Sequence, residues 1–500
     1  MSFLETRHLT ALLAVILMAS PAVMAQQEIV SHPRDLVFEG LDFEPPDASQ
    51  YRYELEHGAI AFVVEDHDLP LVNIALTIRT GNFTPLAQAE PGAASLTGSQ
   101  MRSGGTASLT PADFDEELDF LAANVGSRIG DTSGSANMNC LTKDVDRCLD
   151  LFFEMLREPR FDAERLALAK SQRLQAMERR NDSTTAIERR EWSRLLYGTE
   201  HFSTQELTAD QLGAITSENL ATFHQFAVHP GNFIFAVSGD IEPDAIVASL
   251  NSYLGDWPVG EAAGDVPEPG FEPQPGLYLV HKDDVNQGRV SLGHLSTRLG
   301  DPDRYALLIM NDILGGGGFT SRIMSRVRSD EGLAYSAGTG FAFGVHYDGG
   351  FRAFFQSRSE AVARATAIVL EEIERIRSEP VSDEELTTAK ASFIESFTRN
   401  FASAAQVAGL FASFEFQGRD FDYLNNYRDN MAAVTAEDVM RVAREYLHPD
   451  RLVILAVGNV EDMLAGDPDH PDVLLEKLAP GGNITRISLP DPLTMQYPER

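Results

Sequence analysis

Thr216-Ser217-Glu218, followed by His229-Pro230, Gly239 and Glu242, returns later in the chain as Thr435-Ala436-Glu437, His448-Pro449, Gly458 and Glu461. Each pair is 219 residues apart, from 216 and 435 through to 242 and 461. One offset kept over so many positions marks a folding unit written twice. Within each copy the order is a hydroxyl residue, a helical run, His-Pro, then an apolar run: Phe233 to Ser238, and Leu452 to Val457. The hydroxyl suits a helix start, and the apolar runs suit buried strands. A duplicated unit also poses a chemical question, namely which copy carries a site.

Outward from the repeat, the first copy opens with strand-like runs at Tyr51 to Glu56, Ala59 to Val64 and Leu71 to Ile78. Helical segments follow near Gly92 to Arg102 and from Thr110-Pro111, where a hydroxyl precedes Pro at the first helical position. Phe114, Leu118, Leu121 and Val125 continue at helical spacing. Val145 to Leu156 and Ala163 to Arg180 read as helices. In the second copy, strands are expected at Leu277 to His281, Arg289 to Leu295, Gly338 to Phe343 and Gly350 to Gln356. Helices are expected at Pro302 to Leu314, Ala361 to Ser378, Ser382 to Phe401 and Thr435 to Tyr446. Pro258, Pro267, Pro269, Pro273 and Pro275 make the stretch between a linker by composition. The pattern predicts an α+β fold of two homologous sheet-plus-helix domains, each with helices on one face of its sheet. The expected boundaries are a leader at 1–25, domains at 26–256 and 277–490, a hinge-like linker at 257–276, and a surface tail that includes 491–500.

The chain has 500 residues, of which 43% are hydrophobic and 23% charged, as in ordinary globular proteins. Its 75 acidic and 40 basic residues give a net charge of −35, which repels nucleic acid and anionic lipid surfaces. Arg7, the apolar stretch from Leu9 to Ala19, and Val23 and Ala25 form a signal-peptide pattern with cleavage before Gln26. No other apolar run is long enough to span a bilayer, so a soluble, exported and periplasmic protein is expected. Cys140 and Cys148 are the two cysteines. An oxidising compartment would allow a disulfide between them, and two buried free thiols are equally consistent.

The second copy carries Asn311-Asp312-Ile313-Leu314-Gly315-Gly316-Gly317-Gly318-Phe319-Thr320-Ser321-Arg322, then Arg328, then Gly332-Leu333-Ala334-Tyr335-Ser336. This resembles the C-terminal domain of the pitrilysin/insulinase family of zinc metallopeptidases, which includes the mitochondrial processing peptidases. The resemblance covers most of the chain and implies a two-domain clam shell. Active members carry H-x-x-E-H in the first domain, two histidines for zinc and a glutamate as base. Here the stretch reads Gly92-Ala93-Ala94-Ser95-Leu96-Thr97-Gly98-Ser99-Gln100-Met101-Arg102. Ser95 and Ser99 stand at the histidine positions and Gly98 at the base. A neutral hydroxyl is a poor zinc ligand, and glycine moves no proton. The helix expected to give a third ligand reads Lys170-Ser171-Gln172-Arg173-Leu174-Gln175, without a carboxylate. Glu164 and Glu178 flank it but have no histidine partners. None of the 12 histidines pairs with another three or four residues away, and His224 and His229 are five apart. No metal is expected in this chain.

By the same resemblance, Arg328 and Tyr335 match a pair that binds substrate near the scissile bond. An Arg fork and a phenol can donate to a peptide carbonyl or to a developing oxyanion. The alternative places Arg328 in a surface basic cluster with Arg322 and Arg326, and Tyr335 in the core. Gly315, Gly316, Gly317 and Gly318 lack the following Lys-Ser/Thr of a phosphate loop. The resemblance implies a mobile loop that admits extended peptide, which would bind by strand addition to a sheet edge. It further implies a subunit that does not cut alone. Such a subunit would form a heterodimer with a zinc-bearing homologous peptidase subunit, zinc being on that partner, and bind peptide substrate. The alternative is a structural or peptide-binding homologue that has left proteolysis.

Overall fold

Two six-stranded sheets carry the repeat. The first comprises β1 (Arg52–Glu54), β2 (Ile60–Glu65), β3 (Leu71–Ile78), β4 (Asn124–Ile129), β5 (Gly134–Leu141) and β6 (Phe233–Gly239) in the order β1-β2-β6-β3-β5-β4. The second comprises β7 (Gly276–His281), β8 (Gln287–Leu295), β9 (Ala334–Phe341), β10 (Gly350–Arg358), β11 (Val453–Gly458) and β12 (Ile484–Ile487) in the order β12-β7-β11-β8-β10-β9. Five strands of each sheet correspond in order. The sixth differs: β1 pairs antiparallel with β2, whereas β12 pairs parallel with β7. The computed structural model describes residues 43–498, and from Pro45 onward the chain forms one compact unit. The signal-peptide pattern and its cleavage position lie outside the described residues.

Helices used below are α1 (Ala93–Ser103), α2 (Pro111–Phe120), α3 (Val145–Arg157), α4 (Ala163–Glu178), α5 (Thr184–Tyr197) and α6 (Ser217–Ala227), then α7 (Arg304–Asn311), α8 (Val362–Ser378), α9 (Asp383–Ser396), α10 (Ala404–Gln417) and α11 (Ala436–Tyr446). The repeated threonines are helix caps. The side chain of Thr216 accepts from the Asn219 amide at the start of α6, and that of Thr435 accepts from the Asp438 amide at the start of α11. Each satisfies an amide that has no partner inside its helix. The repeated glycines end the central strands. Gly239 has φ +124, and a Cβ there would lie 2.0 Å from the Leu71 carbonyl oxygen. No L side chain fits at that approach.

β6 and β11 are buried along their whole length, so both faces of each sheet must be covered at its centre. One face packs on helices of its own half. The other is covered by a helix from the opposite half. α10 of the second half lies on β6 and β2 of the first, and α5 of the first half lies on β11 and β8 of the second. The expectation of helices on one face only is therefore corrected to a reciprocal exchange. Phe411 of α10 meets Phe62 of β2 at 5.8 Å between ring centroids, and Arg52 binds Glu415 at 3.2 Å. On the other side, Ile187, Trp192 and Leu196 of α5 pack on Val280, Val453, Leu455 and Val457. Each such buried side chain contributes about 1.5–3 kcal/mol.

Glu188 is the polar centre of the α5 contact, with 2% of its surface exposed. It accepts from Ser291 Oγ at 2.6 Å, Arg289 Nε at 2.7 Å and Arg352 Nη2 at 2.8 Å. Burial pushes its carboxyl up, but the Ser291 hydroxyl and the two guanidiniums outweigh burial and hold it below the ordinary value.

Three further expectations are revised. Val125 belongs to β4, because α2 ends at Phe120 and Ala122 turns the chain at φ +49. The C-terminal segment supplies edge strand β12, and beyond it Leu493 accepts from the Ala209 amide and Tyr497 donates to Glu191. The Pro-rich stretch carries no helix or strand, yet it is tied down at several points. His229 contacts the Glu261 carbonyl at 3.1 Å, His201 the Pro267 carbonyl at 3.2 Å, and Arg298 pairs with Glu268 at 2.8 Å. Cys140 and Cys148 are buried and free, and burial pushes both thiols up.

Candidate functional site

α1 crosses the outer edge of β4. The Arg102 Nε donates to the Val125 carbonyl at 2.9 Å, and Ser127 Oγ donates to the Gly98 carbonyl at 2.6 Å. A Cβ on Gly98 would lie 2.2 Å from the Ile129 backbone nitrogen and 2.6 Å from the Arg128 carbonyl carbon. The helix approaches the strand so closely that glycine alone fits. Ser95 and Ser99 turn their hydroxyls back on their own helix, donating to Gly92 and Leu96 carbonyls at 3.1 Å each. Across the adjoining cavity, α4 presents Arg165, Gln172 and Arg173. Zinc would need deprotonated or lone-pair donors converging here. Two hydroxyls bonded to their own helix, a bare glycine, an amide and two arginines do not fit it. Among the described residues, no three His, Cys, Asp or Glu side chains stand together where they could hold a metal ion.

The second copy repeats this contact. After α7 the chain continues as a wide helical turn, Asp312–Gly316, against edge strand β9. A Cβ on Gly315 would lie 2.6 Å from the Thr339 nitrogen, and Thr339 Oγ1 donates to the Asn311 carbonyl at 3.3 Å. In both copies a helical glycine rests on the edge-strand backbone while a strand hydroxyl bonds the helix. The glycine run is therefore wound and packed rather than an open loop. Gly316 and Gly317 sit as close to Asn311 and Asp312, and only Gly318, at φ +61, has open space at its Cβ.

The three arginines that follow have separate fates. Arg322 grips Glu385 with two bonds, at 2.6 and 3.0 Å. Arg326 pairs with Glu371 and Glu372 at 2.9 Å each. Arg328 has no carboxylate partner among the described residues. Its guanidinium lies over the Phe319 ring at 4.6 Å and the Tyr335 ring at 4.9 Å. Those rings are 69% and 84% exposed, so the alternative of a core Tyr335 is corrected. The basic-cluster alternative fails too, since Arg322 and Arg326 are already neutralised. Stacking holds the Arg328 fork in place and leaves its donors free.

Glu385 also accepts from the Ser382 amide in the cap of α9. Burial pushes it up, but Arg322 and Ser382 outweigh burial and carry it from 4.5 down to about 2. A depressed carboxylate stabilises the fold above its unfolded value and loses that contribution as pH falls through the folded one. Between pH 4.5 and about 2, therefore, this pair's contribution should fade. Urea midpoints measured across that window should fall less steeply for Arg322→Gln than for the wild type.

Ser95 and Ser99 line cavities built from first-half residues, and neither Arg328 nor Tyr335 lines those cavities. The arginines of α4 and α5 beside Ser95, and the Glu188 cluster, escape sequence reasoning. Glu188-Arg189-Arg190-Glu191 looks like a solvated charged face until a second sheet is laid against it. The one available signal is Ile187 and Trp192 bracketing that run at helical spacing.

Residues 214–393 match the family described as peptidase M16 inactive domain. The fold is similar to the crystal structure of a peptidase M16 inactive domain from Pseudomonas fluorescens, with TM-score 0.74 and 26% identity over 82% of this chain and 98% of that one. The sequence is similar to a Mycobacterium tuberculosis protein named as a zinc protease, 28% identical over 48% of this chain. The chain spans about half of that relative, 55% of its length. It is also similar to the non-peptidase homolog YmxG of Helicobacter pylori, 24% identical over 65% of this chain and 74% of that one.

Proposed function

We propose that this chain, a member of the peptidase M16 family with Ser95, Ser99 and Gly98 at the positions expected for metal ligands and base, is a peptidase-like subunit that does not cut alone. It binds extended peptide and lends Arg328 and Tyr335 to the active site of a zinc-bearing homologue in a heterodimer. The carrying observation is Arg328, stacked on two exposed rings with no carboxylate partner among the described residues. Such a preset donor pair suits the oxyanion of a peptide carbonyl under attack, and a partner's zinc would supply the activation of water. Zinc and the base belong to the partner. Peptide binds at the end of β9 exposed at Tyr335 and Ser336, before the segment that Gly315 covers at Thr339. The leader sequence supports export, with the periplasm as the place of work.

The Gly98 contact favours a second reading, a homologue that has left proteolysis and keeps the fold for structure or peptide binding. Co-expression with an H-x-x-E-H homologue from the same genome, followed by a peptide-cleavage assay, separates the two. Arg328→Ala with Tyr335→Phe should cut the pair's kcat by about a hundredfold, the scale of losing an oxyanion donor. Unchanged cleavage would leave the second reading standing.

A further inference from the structure

Beside Ser95 lies a cavity of about 450 Å³, the size of a small-molecule site. Arg173 of α4 and Arg189 and Arg190 of α5 line it. In a chain of net charge −35, three arginines around one cavity run against the overall field. The carboxylates nearby do not cancel them. Glu206, a lining residue, is paired with Arg180 at 3.2 Å, which leaves Asp131, hydrogen-bonded by neutral Asn82 at 2.9 Å, as one unpaired carboxylate against the arginines. Arg190 is only 6% exposed. Its Nε donates to Glu191 at 2.8 Å, while its Nη2 is buried and meets no acceptor among the described residues. The pKa of Arg180, the partner of lining Glu206, is lowered first by burial, with Glu206 opposing and Arg173 and Arg190 adding repulsion.

We infer that this cavity is an anion site that takes a carboxylate, held by Arg173 and Arg189, with Arg190 adding positive charge to the lining. Planar guanidiniums suit a carboxylate through paired hydrogen bonds. The carboxylate comes either from a small organic acid or from the free end of a peptide. The site does not depend on the partner proposed above.

Calorimetric titration of the full chain at low salt, with citrate, a short free-acid peptide and the same peptide amidated, tests it. Arg173→Gln with Arg189→Gln keeps the buried Arg190–Glu191 pair and so spares the fold, which circular dichroism checks. Citrate binding that weakens tenfold or more in the double variant, about 1.4 kcal/mol, supports the site. Tighter binding of the free acid than of the amide, lost in the same variant, supports it and names a peptide end as the source. Equal peptide affinities with citrate binding intact support it and name a small acid. Overturning results are no binding of citrate or free-acid peptide, or binding that the double variant leaves unchanged.

Discussion

Glu188→Ala is expected to destabilise the fold by about 3–5 kcal/mol, the cost of stripping one partner from a buried ion cluster. Glu188 accepts from Ser291, Arg289 and Arg352, all on the second sheet, while it sits on a first-half helix. Its loss leaves Arg289 and Arg352 without a carboxylate among the described residues, Arg289 keeping Gln356, and Arg352 keeping Ser291 and the Trp192 ring. Equilibrium urea unfolding measures the loss. Glu188→Ala with Arg289→Met and Arg352→Met should recover much of it, since an apolar cluster of similar volume often replaces a buried ion cluster without penalty. A single variant within 1 kcal/mol of the wild type would mean that the cluster is solvated and the exchanged helix is held by apolar contacts alone. Because the Glu188 carboxyl is depressed, its contribution is present at neutral pH and lost as pH falls through its folded value.

The second large effect is expected at Gly98. Gly98→Ala places a Cβ 2.2 Å from the Ile129 nitrogen, so α1 must lift from β4. Overpacking of this kind costs about 1–3 kcal/mol, and the backbone here cannot yield as a side chain could. Glutamate should cost more. Writing H-x-x-E-H into α1, as Ser95→His, Gly98→Glu and Ser99→His together, should therefore give a destabilised protein without stoichiometric zinc. Thermal unfolding with metal analysis decides it. A triple variant as stable as the wild type and carrying zinc would show that α1 still has room for a metal helix. The same contact recurs at Gly315, so each copy sets a helical glycine against its edge strand.

What the sequence could show follows from the range of each interaction. Thr216 and Thr435 cap helices within their own turns, and Gly239 and Gly458 sit at positive φ, so both signals are local and legible. The fully apolar runs of β6 and β11 announce burial on both faces, although not what covers the second face. That cover comes from helices of the opposite half, which no local pattern encodes. Helical spacing from Phe114 to Val125 misled because periodicity cannot see the turn at Ala122. The candidate site divides likewise. Ser95, Gly98, Ser99, Arg328 and Tyr335 are legible as positions in a motif. The stacking on Phe319, the clamp of α1 on β4 and the arginine cavity depend on contacts between distant segments.

The metal content of the purified full chain, dialysed after incubation with excess zinc, tests the central claim that this chain has no metal site of its own. Plasma mass spectrometry should find substoichiometric zinc, at the same level in Ser95→Ala with Ser99→Ala. One zinc per chain, lost in that double variant, would contradict it.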